Sequence, residues 1–150
     1  MEVTASVEIS RPPAEVFSYL ADMANNPVWQ RGQKWCAWTS DPPLDVGSTY
    51  DQEAAFLGRT ITSSFVVTEF EPGHRIRIKT TGGTMPIDVT REVAPTSDGQ
   101  GSVVSAVVRG EPAGLLGVMT NLAAPLMRMM VRNSVCSDYR RLKEILEQRG

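Results

Sequence analysis

The chain opens on strict alternation. Val3, Ala5, Val7 and Ile9 fall on one side and Glu2, Thr4, Ser6 and Glu8 on the other, the two-residue period of a half-buried β-strand. Arg11-Pro12-Pro13 ends it, because paired prolines cannot donate to a ladder but suit the first turn of a helix, and Glu15 suits the positive helix N-terminus. A short helix then turns Val16, Phe17 and Leu20 inward. Asp22 can cap a second short helix, which Asn25-Asn26-Pro27 is expected to end before Trp29, since a residue preceding proline is pushed out of the α region. Between Lys34 and Glu111 the helical period disappears, and turn signals at Asp41-Pro42-Pro43, Gly58, Glu71-Pro72-Gly73, Gly82-Gly83 and Ser97-Asp98-Gly99 divide the segment into six strands. One parity of each run is apolar: Cys36 and Trp38; Tyr50, Ala54 and Phe56; Ile61, Phe65 and Val67; Ile76 and Ile78; Met85, Ile87 and Val89; Val104, Ala106 and Val108. The other parity carries Asp51, Glu53, Arg75, Arg77, Lys79, Asp88, Glu92 and Arg109, so each strand shows one wet face. After Pro112 the period becomes helical, with Leu122, Leu126, Met129 and Met130, then Val135, Tyr139, Leu142 and Leu146, at spacings of three and four. Pro125 either starts this helix or kinks it. The pattern is α+β: a seven-stranded curved antiparallel sheet, two short helices after the first strand, and one long C-terminal helix.

Particular stretches carry a family resemblance. Ser6-Val7-Glu8-Ile9-Ser10-Arg11-Pro12-Pro13-Ala14-Glu15-Val16-Phe17, then Asn26-Pro27-Val28-Trp29, Leu44-Asp45-Val46-Gly47 and Val67-Thr68-Glu69-Phe70-Glu71-Pro72 resemble the polyketide cyclase/dehydrase branch of the START-like superfamily, also called SRPBCC. Gly99-Gln100-Gly101 and Leu142-Lys143-Glu144-Ile145-Leu146-Glu147 continue the likeness, which covers essentially the whole chain. The resemblance implies a helix-grip fold with a deep cavity between sheet and terminal helix. Different members use that cavity for lipids, sterols, hormones or polyketides, and some catalyse ring closure and dehydration there. The matching residues shape turns and helices, so they speak to fold far more than to function. The superfamily shares no catalytic motif, and none is carried over.

Composition narrows the partners. At 150 residues the chain is the size of a single domain, 1–150, able to bury about two thirds of its unfolded surface. The formal net charge of -2 gives no strong field toward nucleic acid or an anionic membrane. Arg128 and Arg132, with Arg140, Arg141 and Lys143 further on, are interleaved with Asp138, Glu144 and Glu147 and read as a solvated helix face. No apolar run reaches the roughly 20 residues of a membrane span, and the N-terminus lacks a basic, then apolar, leader. Cytoplasmic location, no membrane insertion, and a monomer or homodimer are the expectations. Cys36 and Cys136 lie far apart and form no CxxC pair, which points to two free thiols and no metal site.

Candidate chemistry is sparse. His74, the only histidine, sits in a turn and reads as solvated, which leaves neither a histidine-based triad nor a zinc set. More informative are polar residues on apolar parities, because a buried polar group needs a partner and a pocket can supply one through its ligand. These are Gln52, Ser63, Thr80 and Arg91. Arg91 interrupts Met85, Ile87, Val89 and Val93. It either points inward, where a guanidinium can hold a carboxylate or stabilise an enolate, or marks a bulge, or reaches the rim to pair with an acid. Tyr50 can exchange a proton and Trp38 can stack on a planar ligand, although both also suit plain packing. Met119, Met127, Met129 and Met130 suit an adaptable pocket as well as an ordinary core.

The leading expectation is a binding protein for a small hydrophobic or aromatic, lipid- or polyketide-like molecule, without metal or cofactor. The expected walls are Trp38, Tyr50, Gln52, Phe56, Ser63, Phe65, Ile78, Thr80, Ile87, Val89, Arg91, Ala106, Met129 and Met130. The alternative is a cofactor-independent aromatase/cyclase-dehydratase, with Arg91 and Tyr50 as the catalytic candidates. A protein-interaction module without a ligand is the third reading.

Overall fold

A computed structural model describes residues 1–56, 58–83, 86–110 and 124–149, with residues 56 and 124 described by their backbone. In chain order the elements are β1 (Glu2–Ile9), α1 (Pro13–Ala21), a 3-10 turn (Met23–Asn25), α2 (Asn26–Trp29), β2 (Gln33–Trp38), β3 (Thr49–Phe56), β4 (Arg59–Glu71), β5 (Arg75–Gly82), β6 (Ile87–Pro95), β7 (Ser102–Gly110) and α3 (Ala124–Glu147). All strands join one curled antiparallel sheet of seven strands in the order β1-β7-β6-β5-β4-β3-β2. The first strand therefore closes onto the last, and the rest form a meander. This is the α+β helix-grip architecture expected from the alternation and the punctuation.

The sheet's outer face is wet and laced with ions. Arg77 binds Asp88 at 2.8 Å and Glu69 at 3.2 Å, and Arg75 binds Glu69 at 3.0 Å and Glu92 at 3.5 Å. The inner face and the helices close over a core in which Val16, Leu20, Trp29, Val67, Val104 and Leu142 are completely buried. An aromatic ladder crosses three strands at one end. Trp38 meets Tyr50 edge-on at 5.4 Å, and Tyr50 stacks on Phe65 at 4.9 Å, as expected where side chains of neighbouring strands share a face.

Two elements differ from the sequence expectation. Pro27 begins α2 rather than ending the helix before it: Asn26 is helical (φ -50°, ψ -44°) and proline occupies the first turn, where its missing donor is not needed. In α3, Pro125 likewise stands in the first turn, but the buried stripe runs through Met127, Tyr139, Leu142 and Leu146, with Val131 and Val135 half-buried between them. Leu126, Met129 and Met130 are 61%, 59% and 45% exposed. Spacings of three and four traced back from Leu146 select Met127 and turn those three toward solvent. Leu122 and Met119 lie outside the described residues.

The far end of α3 is tied to the first strand. Lys143 donates to the Glu8 carbonyl at 2.7 Å, and Glu147 accepts from the Ser10 amide at 2.8 Å. Arg141 donates to the Val28 carbonyl of α2 at 3.1 Å. These clamps hold the helix across the concave face, with space between its middle turns and the middle strands.

Candidate functional site

That space is a cavity of about 270 Å³, bounded by the inner faces of β3 to β7, by α2 and by the middle of α3. Alternation along the strands supplies most of its wall: Tyr50 and Gln52 from β3, Ser63 and Phe65 from β4, Ile78 from β5, and Ile87, Val89 and Arg91 from β6. Gln52 and Ser63 are direct cross-strand partners and both are buried. Gly83 leans on this pair, since its φ is +125° and a Cβ there would stand 2.8 Å from Ser63 Oγ. Only glycine fits that approach.

Other expected wall residues are elsewhere. Trp38 sits on the far side of Tyr50 from the cavity, half-buried against the core, where its indole N–H donates to Asp22 Oδ1 at 2.8 Å. It lines a wider, more open groove of about 650 Å³ between α1 and the segment leading into β3. The Thr80 hydroxyl is used locally, accepting from the Ile87 amide at 3.0 Å. Ala106 is buried in the core as the cross-strand neighbour of Arg91. Met129 and Met130 face solvent for the helical reason given above, and the Phe56 side chain lies outside the described residues. His74 is exposed at its turn and bonds the Val93 carbonyl through Nδ1 at 2.9 Å.

Arg91 points inward and is 4% exposed. Its Nη1 donates to the Leu20 carbonyl at 3.1 Å, to Met23 Sδ at 3.3 Å and to Asn26 Oδ1 at 3.2 Å, and its guanidinium lies 5.0 Å above the Trp29 ring. No bulge reverses its parity, because β6 pairs in unbroken register with both neighbours. Among the described residues no carboxylate pairs with it. Its Nε, and the Nε1 of the fully buried Trp29, are donors with no acceptor.

Several wall residues were not anticipated. Asn26, Trp29 and Gln33 come from α2 and the start of β2, and Val135, Asp138 and Tyr139 from α3. Tyr139 packs edge-on against Trp29 at 4.9 Å. Asp138 accepts from the Arg31 amide at 3.3 Å. Burial pushes its carboxyl above the ordinary carboxylate value, with the Arg31 amide and the charges of Arg31 and Arg141 pulling back. Burial also pushes the Tyr50 and Tyr139 phenols up, against the pull of Arg91, so both stay protonated donors. Cys36 is pushed up to about 12 by burial, and it and Cys136 are free thiols. Among the described residues no cluster of His, Cys, Asp and Glu could hold a metal ion, and no helix is long and apolar enough to cross a membrane.

Comparison with solved structures gives the same architecture at low identity. A protein from Thermus thermophilus superposes with a TM-score of 0.80 at 18% identity, covering 96% of this chain and 95% of the other. A START superfamily protein from Mycobacterium smegmatis gives 0.80 at 12%, covering 98% and 97%. The Zhui aromatase/cyclase from Streptomyces gives 0.76 at 15%, covering 99% and 94%. No curated protein matches the sequence significantly. The family model described as polyketide cyclase / dehydrase and lipid transport matches residues 1–148. With that match spanning nearly its whole length, on a curled sheet gripping a terminal helix, the chain belongs to the polyketide cyclase/dehydrase and lipid transport family.

Proposed function

We propose that this protein binds a small, largely apolar molecule in the cavity between its sheet and α3. The observation that carries the reading is the cavity itself: about 270 Å³ kept open between two well-packed layers, when protein interiors are otherwise filled to crystal density. Phe65, Ile78, Ile87, Val89 and Val135 supply apolar wall, and Tyr50, Gln52, Ser63 and Arg91 supply a few convergent polar groups. Free thiols at Cys36 and Cys136 suit a cytoplasmic site of action.

Native mass spectrometry of protein purified from its own host tests this. A retained small molecule is expected, and Val89→Trp, which fills the cavity from β6, should lose it while keeping the same circular dichroism. Equal retention by a folded Val89→Trp protein places the ligand elsewhere and defeats the proposal.

One observation favours a catalytic second reading. A carboxyl with a raised pKa, Asp138, shares the cavity with protonated Tyr50 and cationic Arg91. Such a set can take a proton from a carbon between two carbonyls, hold the resulting enolate beside a cation and return a proton as the ring closes. Conversion of a poly-β-ketone by the wild-type protein, lost in Asp138→Asn with binding retained, is the outcome that would promote this reading over simple binding.

A further inference from the structure

We infer that the ligand of this cavity carries an acidic head, a carboxylate or comparably acidic oxygen, bound by Arg91 and Trp29 at the α2 end. This rests on the proposal that the cavity binds an apolar molecule and adds the chemical class of its polar end.

Arg91 is a cation almost wholly removed from water, and a buried charge is costly unless it is paired. What surrounds it offsets only part of that cost. The Leu20 carbonyl belongs to the last turn of α1 and contributes a partial negative charge, Asn26 Oδ1, Met23 Sδ and the Tyr139 phenol oxygen are neutral acceptors, and Trp29 offers its ring face. The hydrogen bonds to Leu20, Met23 and Asn26 all fall on Nη1. A purely structural pin between β6 and the 3-10 turn would need those bonds but not a full charge, and an amide side chain can make them. Left over are Arg91 Nε and Trp29 Nε1, buried N–H donors without acceptors, on two residues that line the same cavity.

Two unfilled donors, one of them on an uncompensated guanidinium, call for an acceptor with negative charge. A carboxylate meets that demand, because a charge-assisted hydrogen bond is about twice as strong as a neutral one and arginine matches planar oxyanions. The cavity's one described carboxyl, Asp138, is held by the Arg31 amide rather than by Arg91. The remaining walls at Phe65, Ile78, Val89 and Val135 suit an aliphatic or aromatic body.

Isothermal titration calorimetry with two matched pairs tests the inference: decanoate against 1-decanol, and 2-naphthoate against 2-naphthalenemethanol. In the wild-type protein at least one acid should bind at least roughly tenfold more tightly than its alcohol, as expected when a buried cation gains its counter-charge. In Arg91→Met that preference should fall to within about twofold while the alcohol still binds. Acid and alcohol binding equally to the wild-type protein overturns the acidic head and leaves the apolar pocket standing. Failure of both members of both pairs overturns the pocket and the inference with it. An acid preference that survives in folded Arg91→Met overturns the role of Arg91. The wild-type comparison decides the central point even if the variant does not fold.

Discussion

At the scale of single residues, Asp138 and Arg91 pose the same electrostatic problem with opposite signs. Both face the cavity from elements that could have ended in apolar side chains. Burial is the largest influence on Asp138, so its folded-state pKa lies above the ordinary value. A carboxyl of that kind keeps its proton to higher pH when folded than when unfolded. Folding is therefore favoured below the ordinary carboxylate range, and that contribution is lost as pH rises through the raised value. At neutral pH Asp138 is a net cost, and Asp138→Asn, which can still accept from the Arg31 amide, should be more stable than wild type. Urea denaturation at pH 7 and at about pH 3.5, below the ordinary carboxylate pKa, checks this, with the advantage present at the first and absent at the second. An advantage equal at both would mean that the gain is not electrostatic. Arg91 was visible in the sequence because it broke an apolar parity, and strand register then held it inward. Asp138 was not, because on a helix of alternating charges it reads as one more solvated residue beside Arg140, Arg141 and Glu144. Only the position of α2 against α3 distinguishes them.

Elements were legible where their period was unbroken. β1 and the meander read directly from alternation, and the helix after Arg11 from its prolines. The α2 boundary was missed because a proline that stops one helix is equally suited to start the next. The stripe on α3 was misread in its first turns, where Leu126, Met129 and Met130 compete with Met127 and Val131 for the core-facing role; sequence spacing cannot decide which row meets the sheet. The consequence is measurable. Leu142→Ala removes a completely buried side chain from the half of α3 clamped against β1 and should cost about 2–5 kcal/mol. Met129→Ser, at 59% exposure, should change stability by no more than about 0.5 kcal/mol. Chemical denaturation of the two variants distinguishes them, and a large loss at Met129 would contradict the observed helix orientation.

For the whole molecule, the cavity is built from every layer: middle strands, α2 and α3 all contribute wall. The aromatic ladder of Trp38, Tyr50 and Phe65 continues from one wall, and Arg91 connects another to the C-terminal end of α1. A molecule lodged there touches elements from both ends of the chain at once, and the unfolded chain offers no such enclosure. Its binding energy therefore adds to the global folding free energy rather than to one loop, by about 2.7 kcal/mol at a free concentration of roughly 100 times Kd. For a chain of this length that corresponds to a rise in Tm of about 5–10 °C. Far-UV circular dichroism and tryptophan fluorescence should report the same rise on titration with a cavity ligand, because Trp29 in the wall and the secondary structure melt in one transition. A fluorescence change with no matching shift in the circular dichroism melt would instead mean that the ligand binds the unfolded chain as well as the folded one, which an enclosed site built from both ends of the chain does not allow.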